Sequence, residues 1–257
     1  MSIYLGAGST THKVSKLYVG VGGQARQVQK MYVGVDGQAR LVYQSGTPLG
    51  NKSVGEKVFF DVNNIRTEWI IVHQGLPGDM YDASCFGTWL LCNSARFTGV
   101  YKSSGTGYAN SDSRVYLENT FFGMIKADIK PLIKQVRIPY MGTDEFPMEE
   151  DRKEGADGLA TKVFLPSITE LNGALTNTYK EGAALSYFRT EATARRKWSR
   201  PYWTRTPTSG GWTPSKAAYV TADGALKGNS AKSSYSYRPI LVLPQEVLVD
   251  ESGNVIG

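Results

Sequence analysis

Short apolar runs separated by glycine, proline and polar residues dominate the hydrophobic pattern of this chain of 257 residues. Runs rich in β-branched and aromatic residues, bounded by turn-forming residues, are typical of β-strands. Such runs predict strands within residues 54–60, 68–73, 88–92, 135–140, 162–166, 198–207 and 237–244. Segments with a helical period are few and short. The pattern therefore predicts an α+β fold in which strands predominate.

Capping residues mark the predicted helices. Ser111 or Asp112 can cap a helix within residues 108–117, and another helix is predicted over 190–197. Residues 123–133 predict a further helix, which a proline interrupts.

A capping-box pattern follows the strand that ends at Pro166. Ser167 has Glu170 three residues later, which predicts the start of a helix. By residue type alone Glu170 could be a catalytic acid. Because the capping box explains its position, we assign it a structural role and no chemistry.

A tandem repeat with a period of 14 residues occupies residues 16–43. Lys, Tyr-Val-Gly-Val and Gly-Gln-Ala-Arg recur in register in both copies. Gly22-Gly23 and Asp36-Gly37 separate strand-forming runs, and such pairs favour two-residue hairpin turns because both positions need positive φ. Each repeat is therefore either a small hairpin or two strands of a four-stranded meander. A lone hairpin is marginal in water, so the repeats must pack on their own domain or on a partner.

The stretch 198–244 is the part of the chain most indicative of function. Two predicted buried strands enclose a polar segment that carries Trp212, Tyr219, Tyr235 and a turn at Asp223-Gly224. Rigid strands that present an aromatic loop rich in small residues are common in binding proteins. The stretch supplies no nucleophile paired with a base, so it favours binding over catalysis.

The composition along the chain indicates five segments. They are an N-terminal arm (1–15), the repeat module (16–46), a linker (47–52), one domain (53–245) and a C-terminal hairpin or tail (246–257). The linker is indicated by the glycine, serine, proline and asparagine that cluster there.

Composition and charge exclude several classes of function. The net charge of +6 is a mild excess, and the basic cluster Arg195 to Arg200 is expected to be the solvated end of a helix, so nucleic-acid binding is not expected. No stretch of about 18 apolar residues predicts a membrane span, and no signal peptide is indicated. Cys85 and Cys92 would lie on opposite faces of a single strand, and we expect two buried free thiols, as in a reducing cytosol.

No metal, cofactor or catalytic site is predicted. His73 ends a strand without a second histidine nearby, which indicates a hydrogen-bonded structural residue. The acidic segment 141–158 lacks the ligand spacing of a calcium loop and is expected to be a solvated excursion. A hydrolase of cell-wall glycan would need two carboxylates in a cleft. The candidates by residue type alone are Asp79, Asp82, Asp144 and Glu145.

The repeat resembles a module found near the ends of tail and fibre proteins of phages and prophages of Gram-positive bacteria. There, Lys-x-Tyr-Val-Gly-Val-x-Gly-x-Ala-Arg units recur in tandem, as they do over residues 16–43. The resemblance implies that this chain is attached to a virion, through contacts with other virion proteins. The attachment candidates are Tyr18, Val19, Val21, Tyr32, Val33 and Val35.

Residues 55–244 resemble an uncharacterised C-type-lectin-like domain that is frequent in Firmicutes and their phages. The motifs that carry the resemblance are 164–167 (Phe-Leu-Pro-Ser), 202–206 (Tyr-Trp-Thr-Arg-Thr) and 237–241 (Tyr-Arg-Pro-Ile-Leu). The resemblance implies a twisted antiparallel sheet with one or two flanking helices and an irregular C-terminal region that binds a ligand. The Glu-Pro-Asn, Gln-Pro-Asp and Trp-Asn-Asp triplets of calcium-dependent lectins are absent, and no cysteine follows Cys92. Calcium-mediated sugar binding is therefore not implied. The domain also resembles the fold of formylglycine-generating enzymes, but these need a reactive cysteine pair near the C-terminal end, so their chemistry is not implied either.

Together the two resemblances imply a virion protein that binds a glycan or a protein on the bacterial surface and acts as a homo-oligomer. Aromatic side chains stack on sugar rings, and avidity favours several copies. Trp212, Tyr219 and Tyr235 are the favoured contacts. The full set of ligand-binding candidates is Trp212, Tyr219, Tyr235, Arg205, Trp203 and Tyr237. Trp203 and Tyr237 flank predicted strand positions, so their pattern fits the core as well as it fits a ligand contact. The main alternative is a purely structural virion protein, which predicts packed aromatic residues within 208–237, and the glycan hydrolase ranks last.

Overall fold

Strands predominate over helices in this protein, as the hydrophobic pattern predicts. The computed structural model describes residues 4–7, 10–14, 17–28, 30–103, 107–143, 147–176, 178–208 and 216–256. With 17% of the residues in helices and 40% in strands, the architecture is mixed α+β and mostly β.

Three consecutive hairpins form the N-terminal part. Their strands, in chain order, are β1 (Tyr4–Ala7), β2 (Thr10–Lys13), β3 (Tyr18–Val21), β4 (Gln24–Gln27), β5 (Lys30–Val35) and β6 (Gln38–Gln44). β1 pairs with β2, β3 with β4 and β5 with β6, all antiparallel. The segment predicted to be an arm therefore contains a hairpin of its own.

Each repeat forms one hairpin with a two-residue turn, which confirms the prediction from the sequence. Gly22 and Gly23 have φ values of 61° and 78°, and Asp36 and Gly37 have 53° and 77°. Positive φ at both central positions matches the twist of the flanking strands. Among the described residues β3–β4 and β5–β6 are separate two-stranded sheets, so the four-stranded meander does not form.

Most side chains of the two Tyr-Val-Gly-Val motifs are exposed, whereas Tyr43 at the end of the second repeat is buried. Tyr18, Val19, Val21, Tyr32 and Val33 are exposed, whereas Val35 is half-buried. Such side chains in a lone hairpin stabilise it little, because they contact water on both faces. The attachment candidates are therefore accessible to a partner.

Further strands build the domain and its C-terminal tail. In chain order they are β7 (Thr47–Pro48), β8 (Lys57–Val62), β9 (Ile65–Gly75), β10 (Gly87–Cys92), β11 (Thr98–Val100), β12 (Val136–Ile138), β13 (Tyr140–Met141), β14 (Arg152–Lys153), β15 (Leu159–Thr161), β16 (Val163–Phe164), β17 (Tyr202–Thr208), β18 (Lys216–Val220), β19 (Leu226–Ser230), β20 (Ser234–Ser236), β21 (Ile240–Leu243), β22 (Leu248–Val249) and β23 (Val255–Ile256).

Two five-stranded sheets organise the domain. The first sheet has the order β16-β21-β10-β9-β8 and is antiparallel throughout. All six residues of its central strand β10 are buried. The second sheet has the order β11-β20-β17-β18-β19, in which only β17 and β20 run parallel among the pairs described. One continuous cluster of buried side chains from both sheets forms the core.

Three tryptophans occupy the core. Trp69 stacks on Phe60 with ring centroids 4.6 Å apart, and Trp89 makes edge-to-face contacts with Tyr81 and Phe164 at 5.5 Å each. Trp203 belongs to the second sheet and is also fully buried. Large aromatic residues contribute most of the buried apolar area in such a core.

The helices are short and lie in segments that connect strands. The α-helices among the described residues are α1 (Asp112–Val115), α2 (Phe122–Met124) and α3 (Ala192–Arg196), and π-helical turns over Tyr116–Phe121 join α1 to α2. Several single 3-10 turns add to them. Ser111 caps α1 as predicted, since its hydroxyl accepts a hydrogen bond from Arg114 N at 3.1 Å.

Two predicted helices are shorter than the sequence indicates. The helix expected over 123–133 ends at Met124, because Ile125 is extended and bridges to Val62. The capping box of Ser167 and Glu170 forms, with Ser167 N to Glu170 Oε2 at 2.9 Å and Glu170 N to Ser167 Oγ at 3.0 Å. The turn that it opens closes again at Asn172, whose φ of 54° cannot continue a helix.

The predicted linker over 47–52 is part of the domain instead. β7 pairs with β22 of the C-terminal tail, and Leu49 is fully buried. Gln74 Nε2 donates to Leu49 O at 2.8 Å and to Lys52 O at 3.1 Å. Sequence composition cannot reveal these contacts, because their partners are distant in the chain. The tail forms the hairpin β22–β23, one of the two predicted alternatives.

The described parts of the acidic segment, residues 141–143 and 147–158, contain paired strands and ion pairs, so they are not the solvated excursion that the sequence predicts. β13 pairs with β14, and Arg152 forms ion pairs with Glu149 at 3.1 Å and Glu154 at 2.8 Å. Its own arginine therefore compensates part of the acidic charge.

Candidate functional site

Two tyrosines of the predicted binding stretch meet on one face of the second sheet. The rings of Tyr219 on β18 and Tyr235 on β20 stack with centroids 4.4 Å apart and planes at 21°. Both side chains are half-buried. Trp203 of β17 lies beneath them, with its centroid 4.7 Å from Tyr235 and 6.1 Å from Tyr219. We call Tyr219, Tyr235 and Trp203 the aromatic platform.

Strand register explains why these three residues meet. Trp203 pairs directly with Tyr219, and directly paired residues point to the same face of a sheet. The indole Nε1 of Trp203 donates to Gly99 O at 3.1 Å, and Gly99 pairs in turn with Tyr235. Tyr101 closes the other side of the indole at 5.7 Å. Gly99 and Tyr101 therefore hold the tryptophan in position, and the tryptophan supports the two tyrosine rings.

Polar groups surround the exposed part of the platform. Asn229 on β19 donates through Nδ2 to the Tyr235 hydroxyl at 2.6 Å. Lys227 pairs with Tyr219 and is exposed. Partial burial and a hydrogen bond with Tyr235 raise the pKa of the Tyr219 hydroxyl above its ordinary value. The face thus combines an aromatic surface with hydroxyl, amide and ammonium groups at its edge.

Sequence reasoning missed Asn229 and Lys227. The turn at Asp223-Gly224 was predicted, and Gly224 has a φ of 90° there. A hairpin centred on that turn places Lys227 opposite Tyr219, and the observed register does so. The position of the turn in the sequence therefore indicated that Lys227 would lie opposite Tyr219.

Three of the ligand-binding candidates are buried, so they are not exposed contacts. This corrects the prediction for Arg205, and for Trp203 and Tyr237 it favours the core, the alternative that the sequence left open. Trp203 and Arg205 are fully buried and Tyr237 is 2% exposed. The Tyr237 hydroxyl donates to Val100 O at 2.6 Å, and its ring packs against Tyr116 at 5.3 Å. Trp203 and Arg205 belong to the core because their strand β17 is buried along its whole length. Trp212 lies outside the described residues.

Arg205 forms a buried ion pair with Glu170. Nη1 lies 2.6 Å from Glu170 Oε2, and Nη2 lies 2.7 Å from Oε1. The remaining N–H groups donate to three carbonyl oxygens, those of Pro139, Leu165 and Glu181, at 2.9–3.1 Å. All five donors of the guanidinium are thus used. The Tyr81 hydroxyl donates to Glu170 Oε1 at 2.9 Å, so the carboxylate has a core role in addition to its capping box.

Glu181 is a second buried carboxyl group near Arg205. Its Oε1 accepts from Met141 N at 2.9 Å, whereas Oε2 has no hydrogen-bond partner within the described part of the chain. Burial raises the pKa of Glu181, although Arg205 and Thr206 nearby favour the ionised form. At pH values between the ordinary carboxyl pKa and the raised one, the folded protein therefore binds more protons at Glu181 than the unfolded chain does.

We expect Glu181→Gln to stabilise the protein at pH 8 and to have a smaller effect near pH 4.5. A raised folded-state pKa stabilises the fold below the ordinary carboxyl pKa, and this contribution is lost as the pH rises through the folded-state value. The amide oxygen of glutamine can keep the bond from Met141 N without carrying a titratable proton. Urea unfolding at pH 4.5, 6 and 8 measures the difference from wild type. A pH-independent difference would show that Glu181 does not bind a proton as argued, and Glu181→Ala, which leaves Met141 N unpaired, should destabilise at every pH.

The other residues considered for chemistry have structural partners. His73 Nδ1 lies 2.9 Å from Ser186 Oγ, and burial lowers the pKa of this histidine. Asp82 caps a short turn by accepting from Ser84 N at 2.8 Å, and Asp79 is exposed. Asp144 and Glu145 lie outside the described residues.

Both cysteines are buried free thiols, as predicted. Burial raises the pKa of each thiol to about 12. Cys85 lies in the turn Ala83–Cys85 and Cys92 ends β10, so they are not on one strand. A neutral, enclosed thiol reacts poorly, which agrees with a packing role.

A surface groove is lined by Met80 and by residues within 168–174 and 178–184. It has a volume of about 620 Å³ and is lined by small residues together with Met80, Thr169, Tyr179 and Lys180. The volume would fit a small ligand. The groove and the aromatic platform are thus two separate surfaces on which a ligand could be sought.

The described residues contain neither a cluster of metal ligands nor a membrane-spanning helix. Within the described ranges no group of three or more histidine, cysteine, aspartate or glutamate residues could hold a metal ion. None of the helices described is long and apolar enough to cross a membrane.

Residues 87–245 match the domain of unknown function DUF6273, which is more than half of the chain. This chain belongs to the DUF6273 family. No curated protein and no solved structure matches it. The DUF6273 segment contains the whole second sheet, the aromatic platform and the pair Glu170–Arg205, whereas β8 and β9 precede it. The structural domain is therefore larger than the family segment, and the hairpins lie outside it.

Proposed function

We propose that this chain is a virion protein of a bacteriophage or prophage that displays its DUF6273 domain to bind a glycan on the bacterial surface. The observation that carries the proposal is the stacked pair of Tyr219 and Tyr235, half-exposed and supported by Trp203. The virion assignment is supported by the resemblance of the tandem repeats to phage tail and fibre modules. The proposed function requires no catalytic residue and no cofactor.

The aromatic platform suits a sugar better than a charged or an extended apolar ligand. The apolar faces of sugar rings pack on aromatic rings, and their hydroxyl groups need polar partners at the edge. Asn229 Nδ2 and the two tyrosine hydroxyls lie at that edge. Because Trp203 is fully buried and fixed by Gly99, the platform is preorganised, which reduces the entropy cost of binding.

The fold that we propose for the DUF6273 domain is C-type-lectin-like. Two mainly antiparallel sheets, short helices and a C-terminal half that supplies the exposed aromatic face support this assignment. In the proposed protein the hairpins attach the chain to other virion proteins, and the particle carries it as a homo-oligomer. The exposure of Tyr18, Val19 and Tyr32 supports an attachment role.

Tyr219→Ala and Tyr235→Ala are each expected to weaken glycan binding about 2- to 10-fold, as loss of one aromatic contact worth about 0.5–1.5 kcal/mol implies. The measurement is binding of the full chain to purified Gram-positive cell walls and to an array of their glycans. Tyr235→Phe removes the hydroxyl that Asn229 contacts and keeps the ring, so it should lose less. Tyr179→Ala is the matched control, because this tyrosine is also half-buried but lines the groove.

Two outcomes would contradict the site. If Tyr179→Ala abolishes binding and the platform variants do not, the ligand occupies the groove. If wild type binds no cell wall or glycan, the receptor-binding proposal fails.

A purely structural virion protein is the second candidate, and burial favours it. Trp203 and Tyr237 are packed in the core, and Tyr219 and Tyr235 cover each other in part. This candidate predicts that the chain incorporates into particles and that Tyr219→Ala leaves infection of the host unchanged. The same variants therefore separate the two functions.

A further inference from the structure

We infer that the surface groove lined by Met80 and by residues within 168–174 and 178–184 is a second binding site. Its ligand is a hydroxyl-rich chain that carries repeated anionic groups, such as a polyol phosphate or a polymer of acidic sugars. This site goes beyond the sugar site proposed at the aromatic platform and shares no residue with it. Only the bacterial surface as the source of the polymer rests on the proposed function.

Two cations stand at the groove without a counter-ion. Lys180 lines the groove and is exposed. Arg189 is also exposed and borders the groove, because its Nε donates to Ala184 O at 3.2 Å and its carbonyl oxygen accepts from Asn172 Nδ2 at 3.4 Å. Ala184 and Asn172 are both lining residues. Within the described part of the chain neither cation forms an ion pair, so both charges are available to a ligand.

The carboxylates nearby do not cancel this charge. None of the described residues that line the groove is acidic. Glu181 is buried, and the carboxylate of Glu170 is paired with Arg205 in the core. Asp79 is exposed and precedes Met80, but it does not line the groove. The groove therefore presents an excess of positive charge, which raises the local concentration of an anionic ligand.

The lining also suits a ligand with many hydroxyl groups. The volume of about 620 Å³ lies within the range of sites for small ligands. Alanine and glycine residues leave room for a slim chain. Between them stand side chains with hydroxyl or amide groups, which are Thr169, Asn172, Thr178 and Tyr179.

The positions of the two cations favour repeated charges. Lys180 and Ala184, the residue that Arg189 contacts, are four positions apart in a segment without a helix. A guanidinium binds a phosphate or a carboxylate through paired N–H groups, and an ammonium acts as a point charge. A chain with repeated anionic groups can therefore pair with both cations at once, whereas a neutral sugar pairs with neither.

Hydrogen bonds from the core hold the backbone of the groove. Glu181 N donates to Thr169 Oγ1 at 3.2 Å, and Glu181 O accepts from Ser167 Oγ at 2.9 Å. Ala183 N donates to the Tyr81 hydroxyl at 3.2 Å. A backbone that is already in position reduces the entropy cost of binding.

The test is calorimetric titration of the full chain with soluble oligomers of glycerol phosphate and of galacturonate. We expect the chain to bind at least one of them, and to bind it more weakly as the salt concentration rises, because salt screens exposed charges. Lys180→Gln with Arg189→Gln should weaken this binding about 3- to 10-fold, as the loss of two exposed ion pairs implies. The two titrations also show which anionic group the site prefers.

The matched control is Arg200→Gln with Lys232→Gln, because both residues are exposed cations that do not line the groove. It removes the same charge from the chain and should bind as wild type does. Arg189→Lys keeps the charge and loses the bond from Nε to Ala184 O, so it should retain most of the affinity. If it binds as weakly as Arg189→Gln, Arg189 shapes the groove and does not pair with the ligand.

The inference is overturned if wild type binds neither anionic oligomer, or if the control variant loses as much affinity as Lys180→Gln with Arg189→Gln. Its failure can be told apart from that of the proposed function. Tyr219→Ala should leave the binding of the anionic oligomer unchanged. Lys180→Gln with Arg189→Gln should leave the binding of neutral glycans unchanged.

Discussion

Glu170→Ala is expected to lower the free energy of unfolding by about 3–5 kcal/mol, because it leaves the Arg205 guanidinium buried without its counter-ion. Both side chains are inaccessible to solvent. Nη1 and Nη2 of Arg205 each lose a charge-assisted hydrogen bond, and the Tyr81 hydroxyl loses its acceptor. The capping box at Ser167 is lost with the same carboxylate. Urea unfolding followed by tryptophan fluorescence measures the change.

A paired replacement separates the charge effect from simple loss of packing. The double variant Glu170→Leu with Arg205→Met removes both charges and keeps apolar volume, so it should be more stable than Glu170→Ala. Glu149→Ala is the surface control, because its ion pair with Arg152 is largely exposed and should contribute less than about 1 kcal/mol. If Glu170→Ala costs no more than Glu149→Ala, the buried pair does not stabilise the fold.

Local patterns in the sequence predicted the turns and helix caps, because these depend on interactions between residues close together in the chain. The turns at Gly22-Gly23 and Asp36-Gly37, the cap at Ser111 and the capping box at Ser167 all involve residues within a few positions of one another. Their geometry depends on positive φ or on a short side chain next to a free backbone N–H, so residue type is sufficient.

The features that the sequence did not predict depend on contacts between residues far apart in the chain. Arg205 was predicted to contact a ligand, yet it forms an ion pair in the core with Glu170, 35 residues earlier. Because the capping box already explained the position of Glu170, there was no reason in the sequence to expect its ion pair with Arg205. The segment 47–52 was expected to be a linker for the same reason, because β7 finds its partner 200 residues later in β22. In the binding stretch Tyr219 and Tyr235 do come together, although no local pattern showed that Trp203 would lie beneath them.

Trp203→Ala is expected to lower the free energy of unfolding by about 3–5 kcal/mol, the usual loss for a large aromatic residue in a core. The indole fills the space between Tyr101 and the tyrosine pair and donates to Gly99 O. Its removal leaves a cavity under Tyr235, so the stacked pair loses its support and glycan binding should fall with stability.

Trp203→Phe keeps an aromatic ring and loses the hydrogen bond from Nε1, so we expect a smaller loss of stability and a platform that still binds. Tyr219→Ala is the matched comparison, since it removes a half-buried ring from the same cluster and should cost less than Trp203→Ala. Unfolding and glycan binding measured on the three variants together decide between two roles. If Trp203→Ala weakens binding only in proportion to the fraction unfolded, the tryptophan is a core residue alone. If the folded fraction also binds more weakly, Trp203 positions the two tyrosines for their ligand.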